Sequence, residues 1–468
     1  MSASEIRMSK EIFGKYLARE MNIPMKKLKD MRTMRQKVEI NDIIFDYLKF
    51  NDPTNKETLN IFKKSVWNNP ENMSKAEAKA NAIKFTVPYK NVLREYAEGG
   101  LHSFGKPGIY ESNDDYVLVD VDFASFYPHI SFVNGLHPEH IPGETFNKLY
   151  KGFYTKRKEF PKSDPRNYVL KIILNGSYGL SKDKYAFLYD PKWQLGICIN
   201  GQLLLTFLTE KVLEAVPEAL IIFENTDGAM YRIPRSKLDL LTSACKEVEK
   251  LVGIGLDIEQ CKKIIIRDVN NYINIINDDD IKYKGAFAID RDYHKNHSKR
   301  IVPIAMANYF INNIPVENTI NNYLKPDYKL ELKGVDTYGI YDFCIGAKMK
   351  GEGKLYQRDF IDGKWNDSPL SKVTRYYVSN DGSSLMKILP PLAKAYVSDL
   401  DKQKEITPNQ IDIFSMIEDD FLVEPDDRET NIESGHKCTV FNKYKREEYD
   451  INKNYYINEC NKNLQILT

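Results

Sequence analysis

The chain has 468 residues, of which 42% are hydrophobic and 28% charged, and its formal net charge is +1. A chain of this length is expected to form about two to four packed subdomains, and its near-neutral charge means that any nucleic-acid surface must be local. Six cysteines without a CxxC pair argue against a zinc site and a disulfide framework, and we find neither a signal peptide nor an apolar run of membrane-span length. We therefore predict a cytoplasmic protein without membrane contact.

The first hundred residues are predicted to be a basic helical segment followed by loops. Residues 1–37 have a helical pattern and carry ten Lys or Arg against four Asp or Glu. A solvated helix face and a phosphate-contacting face explain this charge equally well. Further on, Gly99-Gly100 and Lys106-Pro107-Gly108 indicate a tight, loop-rich crossing.

Two apolar runs of strand length follow, and each lies beside an aspartate. Residues 116–123 include Asp122, and residues 219–223 lead into a turn that contains Asp227. Helical patterns cover about 145–185 and 196–216. Residues 263–276 and 281–289 flank an Asn-Asp-Asp-Asp segment, which predicts a β-hairpin. From about residue 300 the pattern mixes helices and strands without a repeat.

The two strand-end aspartates could form a metal site. If their strands are neighbours in one sheet, Asp122 and Asp227 could hold two divalent ions roughly 3.5–4 Å apart, an arrangement that serves phosphoryl transfer. Oxygen ligands and phosphates suit Mg²⁺. Taken alone the pair is weak evidence, because most aspartates at strand ends are caps or turn formers.

The segment between these strands points to nucleotide binding. Lys171, Asn175 and Tyr178 share one helix face at i, i+4 and i+7, where a lysine could meet a triphosphate. A basic cluster, residues 154–162, lies just upstream. An exposed amphipathic helix explains either segment alone. Together, between two strands with metal-site candidates, they favour a nucleotide site.

Five segments, in order, resemble motifs of family B DNA polymerases. Asp122-Phe-Ala-Ser-Phe-Tyr-Pro128 resembles motif A, and Lys171 to Gly179 is similar to motif B at every fixed position. Asn225-Thr-Asp-Gly228 is similar to motif C, usually Asp-Thr-Asp-Ser. Tyr96-Ala-Glu-Gly-Gly100 and Lys282-Tyr-Lys-Gly285 resemble two flanking elements of the family, and residues 372–377 and 455–457 are similar to thumb segments of its phage members.

The resemblance implies a fold and a domain order. The expected fold is α/β (α+β), a right-hand polymerase with an antiparallel-sheet palm, short helical fingers and a thumb. Residues 1–110 would be the region that normally links an exonuclease to the palm. The remaining segments would be the first palm part (111–147), the fingers (148–185), the second palm part (186–300), and the thumb with the C-terminal region (301–468).

The resemblance also implies a role for each matching residue. Asp122, Asp227 and the carbonyl of Phe123 would bind two Mg²⁺ ions, for which Mn²⁺ could substitute. Tyr127 would lie under the deoxyribose and exclude a 2′-hydroxyl. The nucleotide-binding set would be Ser125, Phe126, Tyr127, Arg157, Lys171, Asn175 and Tyr178, with Lys158 and Lys162 as alternatives to Arg157. The DNA-binding set would be Gly99, Gly100, Lys282, Lys284, Gly285, Arg375 and Tyr376.

The implied activity is template-directed DNA synthesis from dNTPs on primer–template DNA. Residues 1–110 contain no Asp-x-Glu and are too few for a nuclease, so we expect no proofreading activity and a separate exonuclease subunit, as in a split polymerase. Its docking surface is predicted to be an exposed apolar patch at Ile43, Ile44, Phe45, Leu48 and Phe50. The alternative is that these residues pack into the N-terminal helices and that the polymerase lacks proofreading altogether. A helicase, a primase or a processivity factor could be further partners, and the cytoplasm would be that of an infected bacterium if the chain is phage-encoded.

Departures from the family pattern leave two alternatives open. Asn225 replaces the first acid of motif C, and Gly228 replaces its serine, so a non-catalytic polymerase-like assembly subunit is one alternative. Asp120, on the same strand face as Asp122, could restore the missing charge or simply continue the alternation. The second alternative is a reverse transcriptase or a primase. The helix-borne motif B weighs against a reverse transcriptase, and Tyr127 weighs against a primase. His129 is expected to pack, and Asp257-Ile-Glu259 to be structural.

Overall fold

The computed structural model describes residues 3–289, 298–349, 353–388, 429–441 and 448–467. The chain divides into two compact units, Met1–Lys282 and Tyr283–Thr468. Both contain helices and antiparallel sheets, so the α+β class expected from the sequence is confirmed. No helix in the described ranges is long and apolar enough to cross a membrane.

The first unit contains the following elements. Its described α-helices are α1 (Ala3–Glu20), α2 (Met25–Asp30), α3 (Pro53–Lys64), α4 (Lys75–Asn81), α5 (Phe126–Val133), α6 (Gly143–Lys158), α7 (Pro165–Leu180), α8 (Pro191–Ala215) and α9 (Leu238–Val252). Its described strands are β1 (Lys37–Glu39), β2 (Val66–Asn68), β3 (Lys84–Tyr89), β4 (Val92–Ala97), β5 (Gly100–Phe104), β6 (Gly108–Glu111), β7 (Tyr116–Phe123), β8 (Leu220–Asn225), β9 (Gly228–Pro234), β10 (Leu256–Cys261), β11 (Lys263–Asp268) and β12 (Asn271–Ile275), with β13 (Ile281–Tyr283) at the unit boundary.

A seven-stranded antiparallel sheet organises this unit, in the order β10-β7-β9-β8-β5-β4-β3. The predicted strands at 116–123 and 219–223 are therefore confirmed as β7 and β8, and β9 lies between them. Val117, Leu118 and Val119 are buried because both faces of β7 are covered. Strands from residues 1–110 share this sheet with β7, so that region is not a separate unit.

The long helix α8 lies at the centre of the unit and confirms the helical pattern predicted at 196–216. It begins at Pro191, and the side chain of Asp190 accepts hydrogen bonds from the amides of Lys192 and Trp193. Almost every side chain from Pro191 to Leu213 is buried, so α8 is a core helix.

The helical region predicted at 145–185 is a hairpin of two helices, α6 and α7. The break between them contains Pro161, and the side chain of Asp164 caps α7 by accepting from the amide of Arg166. The N-terminal helix α1 packs on this hairpin. Phe13 contacts the rings of Phe146 and Tyr150, with ring centroids 5.7 and 6.0 Å apart.

The hairpin predicted across the Asn-Asp-Asp-Asp segment is confirmed, because β12 and β13 on either side of it are neighbours in a four-stranded sheet of order β13-β12-β11-β6. Residues 263–276 form two strands, β11 and β12, that pair across a turn at Val269 and Asn270, and β6 pairs with the other side of β11.

The prediction of an exposed apolar patch is wrong. The apolar patch at residues 43–50 is not exposed. Ile43, Leu48 and Phe50 are at most 7% exposed, and all five of its residues belong to or pack against the main core.

The second unit also combines helices and sheet. Its described elements are α10 (Ile301–Asn312), α11 (Val316–Asn322), α12 (Lys453–Leu467), β14 (Ile345–Lys348), β15 (Lys354–Ile361), β16 (Lys364–Leu370), β17 (Val373–Ile388), β18 (Glu429–Asn431) and β19 (Cys438–Val440). The long strand β17 pairs with β14, β15, β18 and β19. Arg300 and Asp342 form a buried ion pair of 2.8 Å within this unit.

Candidate active site

A cavity of about 420 Å³ in the first unit contains the predicted nucleotide-binding residues. Three chain segments that are distant in sequence supply its wall: the β7–α5 loop, the α6–α7 hairpin and the β8–β9 turn. Its lining residues are Ser125, Phe126, Tyr127, Pro128, Arg157, Lys171, Asn175, Tyr178, Thr226 and Asp227. All seven residues of the predicted nucleotide-binding set therefore line one cavity, together with one of the two aspartates.

The loop between β7 and α5 has a constrained backbone. Ser125 has φ 50° and ψ 50°, a left-handed conformation that is uncommon for a residue with a side chain. Phe123 is buried on one side of this turn, and its ring stacks on that of Phe126 with centroids 4.4 Å apart. The turn places the first amides of α5 at the cavity wall, and a helix N-terminus favours an anion.

The β8–β9 turn is tied directly to this loop. Thr226 is also left-handed, with φ 58°, and its amide donates to the carbonyl of Leu101 at 2.9 Å. The amide of Phe123 donates to the carbonyl of Asp227 at 2.8 Å. Asp122 lies opposite Gly228 in the β7–β9 register, so the strands that carry the two aspartates are immediate neighbours.

A steric constraint explains why residue 228 is a glycine. A Cβ on this residue would collide with the Oδ1 atom of Asp122 and would also approach the carbonyl of Val121. A serine here would require the Asp122 carboxylate to turn away from its present position. The glycine that departs from motif C therefore accommodates the observed orientation of Asp122.

Further carboxylates surround Asp122, two of which the sequence reasoning treated as structural. In the β10–β7 register Asp257 lies opposite Asp122, and Glu259 lies opposite Asp120. Burial and, after it, the negative charge of Asp227 raise the pKa of Asp122 to about 6. Burial, followed by the charge of Asp122, raises the pKa of Asp120 to about 7. In the sequence, the signal for this carboxylate group was the matching alternation of Asp-x-Asp at 120–122 and Asp-x-Glu at 257–259.

A lysine partly neutralises this carboxylate group. Lys282 forms a 2.7 Å ion pair with Glu259, and its positive charge lowers the pKa of both Asp120 and Asp122. Lys282 was predicted to contact DNA. Its ion-pair partner Glu259 belongs to β10, so the charge of Lys282 acts on the carboxylates, and the DNA contact stays a prediction.

The donor set around Asp122 fits a hard divalent cation. No group of three or more His, Cys, Asp or Glu side chains that could hold a metal is found in the described ranges. Mg²⁺ needs fewer protein ligands than that, because it retains several waters and takes one or two carboxylates together with substrate phosphates. Asp122, Asp227 and the backbone carbonyl of Phe123 would hold it. Burial and then repulsion by Asp227 raise the pKa of Asp122, and a cation would stabilise the charged form against both.

The cationic side of the cavity consists of Arg157 and Lys171. The guanidinium of Arg157 donates to Oγ of Ser125 at 3.1 Å and to Oδ1 of Asn167 at 3.0 Å, which holds it against the β7–α5 loop. Lys171 and Asn175 are exposed on one face of α7, as the helical spacing predicted. Lys158 and Lys162 are not lining residues of the cavity, so Arg157 is the better candidate for the second cation.

Two tyrosines form the aromatic wall. The rings of Tyr127 and Tyr178 meet edge to face, with centroids 4.8 Å apart. The hydroxyl of Tyr127 donates to the carbonyl of Gly99 at 3.3 Å. Gly100, with φ 143°, approaches the same hydroxyl closely enough that an added Cβ would lie 3.4 Å from it. Gly99 and Gly100 therefore contact Tyr127 in this structure, a contact that the sequence did not indicate.

The other predicted DNA-binding residues lie in the second unit and differ in exposure. Lys284, Gly285 and Arg375 are exposed. Tyr376 is only 2% exposed, and its hydroxyl donates to Glu433 at 2.9 Å. Its side chain therefore belongs to the core, and its assignment as a DNA contact is wrong.

The two remaining departures from the motifs, Asn225 and His129, and the nearby Asp120 have structural explanations. The Asn225 amide donates to the carbonyl of Val269 at 3.2 Å, and its oxygen accepts from the Thr226 hydroxyl at 3.0 Å. Asp120 is 8% exposed and faces Glu259. His129 packs against Phe132 and Tyr154, with Nδ1 2.5 Å from the carbonyl of Ala124, so the prediction that it packs is confirmed.

No protein-family model and no curated protein matches the chain. The geometry of the site therefore carries the functional argument.

Proposed function

We propose that the chain is a DNA-directed DNA polymerase of the family B type, which adds dNTPs to the 3′ end of a primer. One observation carries the proposal: the seven residues assigned to the nucleotide from the motif resemblance line a single cavity, together with Asp227. The palm, fingers and thumb assignments belong to the same proposal.

The chain's own residues would position the reacting groups. Arg157 and Lys171 would bind the triphosphate, and the first amides of α5 would donate to its oxygens. Tyr127 would face the sugar and Tyr178 the nascent base pair. The primer 3′-hydroxyl would attack the α-phosphate and release pyrophosphate, so catalysis would depend mainly on positioning and charge.

Asp122 and Asp227 would hold the divalent ions beside the α-phosphate. When bound, Mg²⁺ would supply charge neutralisation of the attacking and leaving oxygens. Asp257 and Glu259 would add negative charge nearby, and Lys282 would offset part of it through its 2.7 Å ion pair with Glu259. The constrained backbone at Ser125 and Thr226 would keep the two aspartates in register before substrate arrives.

Extension of a labelled primer on a template, with Mg²⁺ and with Mn²⁺, tests the proposal. We expect Asp122→Ala and Asp227→Ala each to lower incorporation by roughly 10²–10³-fold or more, because each removes a charge that stabilises the transition state. DNA binding should be largely retained. Asp239→Ala is the matched control, since Asp239 is an exposed aspartate on α9 that does not line the cavity. Near wild-type extension by Asp122→Ala or Asp227→Ala would contradict the metal assignment.

A non-catalytic polymerase-like assembly subunit is the second candidate function. The observation that favours it is Asn225, whose amide is engaged by the carbonyl of Val269 at the place where motif C usually carries an acid. The same assay separates the candidates. A wild-type chain that binds primer–template but incorporates no nucleotide with either metal would favour the assembly role.

A further inference from the structure

A cysteine behind the cavity wall contacts both tyrosines. Cys198, in the middle of α8, is 0% exposed. Its Sγ atom lies 2.6 Å from the hydroxyl of Tyr178 and 3.8 Å from the hydroxyl of Tyr127. Cys198 does not line the cavity, so it reaches the cavity only through these two side chains.

The direction of these hydrogen bonds follows from the number of protons. The single proton of the Tyr127 hydroxyl is donated to the carbonyl of Gly99. The thiol therefore donates to the oxygen of Tyr127, and the hydroxyl of Tyr178 donates to the sulfur. Burial raises the pKa of both tyrosines above the ordinary value, so both keep their protons. The result is one chain of donors from Tyr178 through Cys198 and Tyr127 to Gly99.

The same helix also packs against the ring of Tyr127, at a position without a side chain. Gly201 follows Cys198 by one helical turn, and a Cβ there would lie 3.5 Å from Cε1 of Tyr127, 3.4 Å from Cε1 of Phe126 and 3.3 Å from Cδ1 of Ile130. The absent side chain allows the rings to rest directly on the helix. Cys198 holds the hydroxyl end of Tyr127, and Gly201 receives an edge of its ring.

We propose that Cys198 is a positioning residue for sugar selection: it fixes the Tyr127 hydroxyl so that the ring cannot retreat from a 2′-hydroxyl in the cavity. This rests on the proposed function and adds to it a residue outside the motifs. Removing the sulfur would leave a space directly behind both tyrosines, since cores fill such spaces only partly. Tyr127 could then move back toward α8 and admit a ribonucleotide.

The test measures kcat/KM for matched dNTP and rNTP with wild-type chain and the Cys198→Ala variant. We expect the preference for dNTP to fall about ten-fold in the variant, which is the lower end of what one missing group in a pocket costs, with dNTP kcat/KM within about three-fold of wild type. Cys198→Ser should restore the preference, because its hydroxyl can accept from Tyr178 and donate to Tyr127. Cys245→Ala, another buried cysteine on α9, is the control and should behave as wild type.

The outcomes are distinguishable. If the wild-type chain incorporates no nucleotide, the proposed function fails. If Tyr127→Ala lowers the dNTP preference but Cys198→Ala does not, the positioning role of Cys198 is refuted and the polymerase stands. If Cys198→Ala and Cys245→Ala lower it equally, the effect is general loosening of the core, and the inference is again refuted. Melting temperatures of all variants identify a chain that has not folded.

Discussion

A buried ion pair next to the β8–β9 turn offers the sharpest test of the structure. Glu224, which precedes Asn225, is 0% exposed, and its partner Arg94 on β4 is 1% exposed. The guanidinium donates to the two carboxylate oxygens at 2.7 and 2.6 Å. Ser103 and Thr209 donate to the same carboxylate at 2.7 Å each. One carboxylate thus connects β4, β5, β8 and α8.

We expect Glu224→Gln to destabilise the first unit by about 3–5 kcal/mol. The substitution keeps the volume but removes the charge, so the Arg94 guanidinium is left buried and uncompensated. For a unit of this size each kcal/mol corresponds to roughly 2–4 °C, so the melting temperature should fall by on the order of 10 °C. Arg94→Met combined with Glu224→Gln should cost less than the sum of the two single changes, because no unpaired charge then remains.

Tryptophan fluorescence during thermal and urea unfolding measures this effect in the correct unit. Trp67 and Trp193 are 8% and 2% exposed in the first unit, whereas Trp365 in the second is 65% exposed, so a shift in emission on unfolding reports mainly the first. Glu95→Gln is the control. Glu95 is the neighbour of Arg94 on β4, and its pair with Lys84 is solvent-exposed, so its loss should cost below about 1 kcal/mol. A Glu224→Gln loss no larger than this control would refute the buried network.

Three further predictions concern the site. Tyr127→Ala should raise rNTP incorporation relative to dNTP incorporation by about ten-fold or more, because the bulk of the ring is removed. Primer extension with each nucleotide measures this ratio, and an unchanged ratio would show that Tyr127 does not contact the sugar. In the absence of metal, Asn225→Asp should lower the melting temperature by an amount that corresponds to about 1 kcal/mol, because the new carboxylate faces the Val269 carbonyl. Mg²⁺ should restore part of this loss. If Mg²⁺ stabilises the variant no more than it stabilises wild type, residue 225 lies outside the metal site. Because the folded-state pKa of Asp120 is raised to about 7 from 3.8, the native chain holds a proton that the unfolded chain releases, so stability without metal should fall as pH rises between about 4 and 7. The free energy of unfolding of Asp120→Asn, measured in urea, should therefore exceed that of wild type by roughly 4 kcal/mol at pH 8 and match it at pH 4. An equal pH dependence for the two proteins would contradict the shift.

Much of the local structure and the membership of the cavity followed from the sequence. The apolar runs at 116–123 and 219–223 predicted β7 and β8 because buried strands require continuous apolar side chains. The spacing of Lys171, Asn175 and Tyr178 predicted one face of α7, because the helical period places such residues together. Both patterns are local, and local periodicity can be read without knowing the partners.

Only the tertiary structure decided what each of these elements faces. Strand pairing brought Asp257 and Glu259 opposite Asp122 and Asp120, and no local pattern specifies which strands become neighbours. Residues 43–50 resembled an exposed apolar patch but are packed into the core, since burial depends on what covers a segment. Tyr376 looked like a DNA contact and is a core residue for the same reason. Cys198 shows most clearly what a sequence pattern cannot predict. In the sequence it is an ordinary apolar position of α8, and it contacts two tyrosines only because three distant segments converge on that helix.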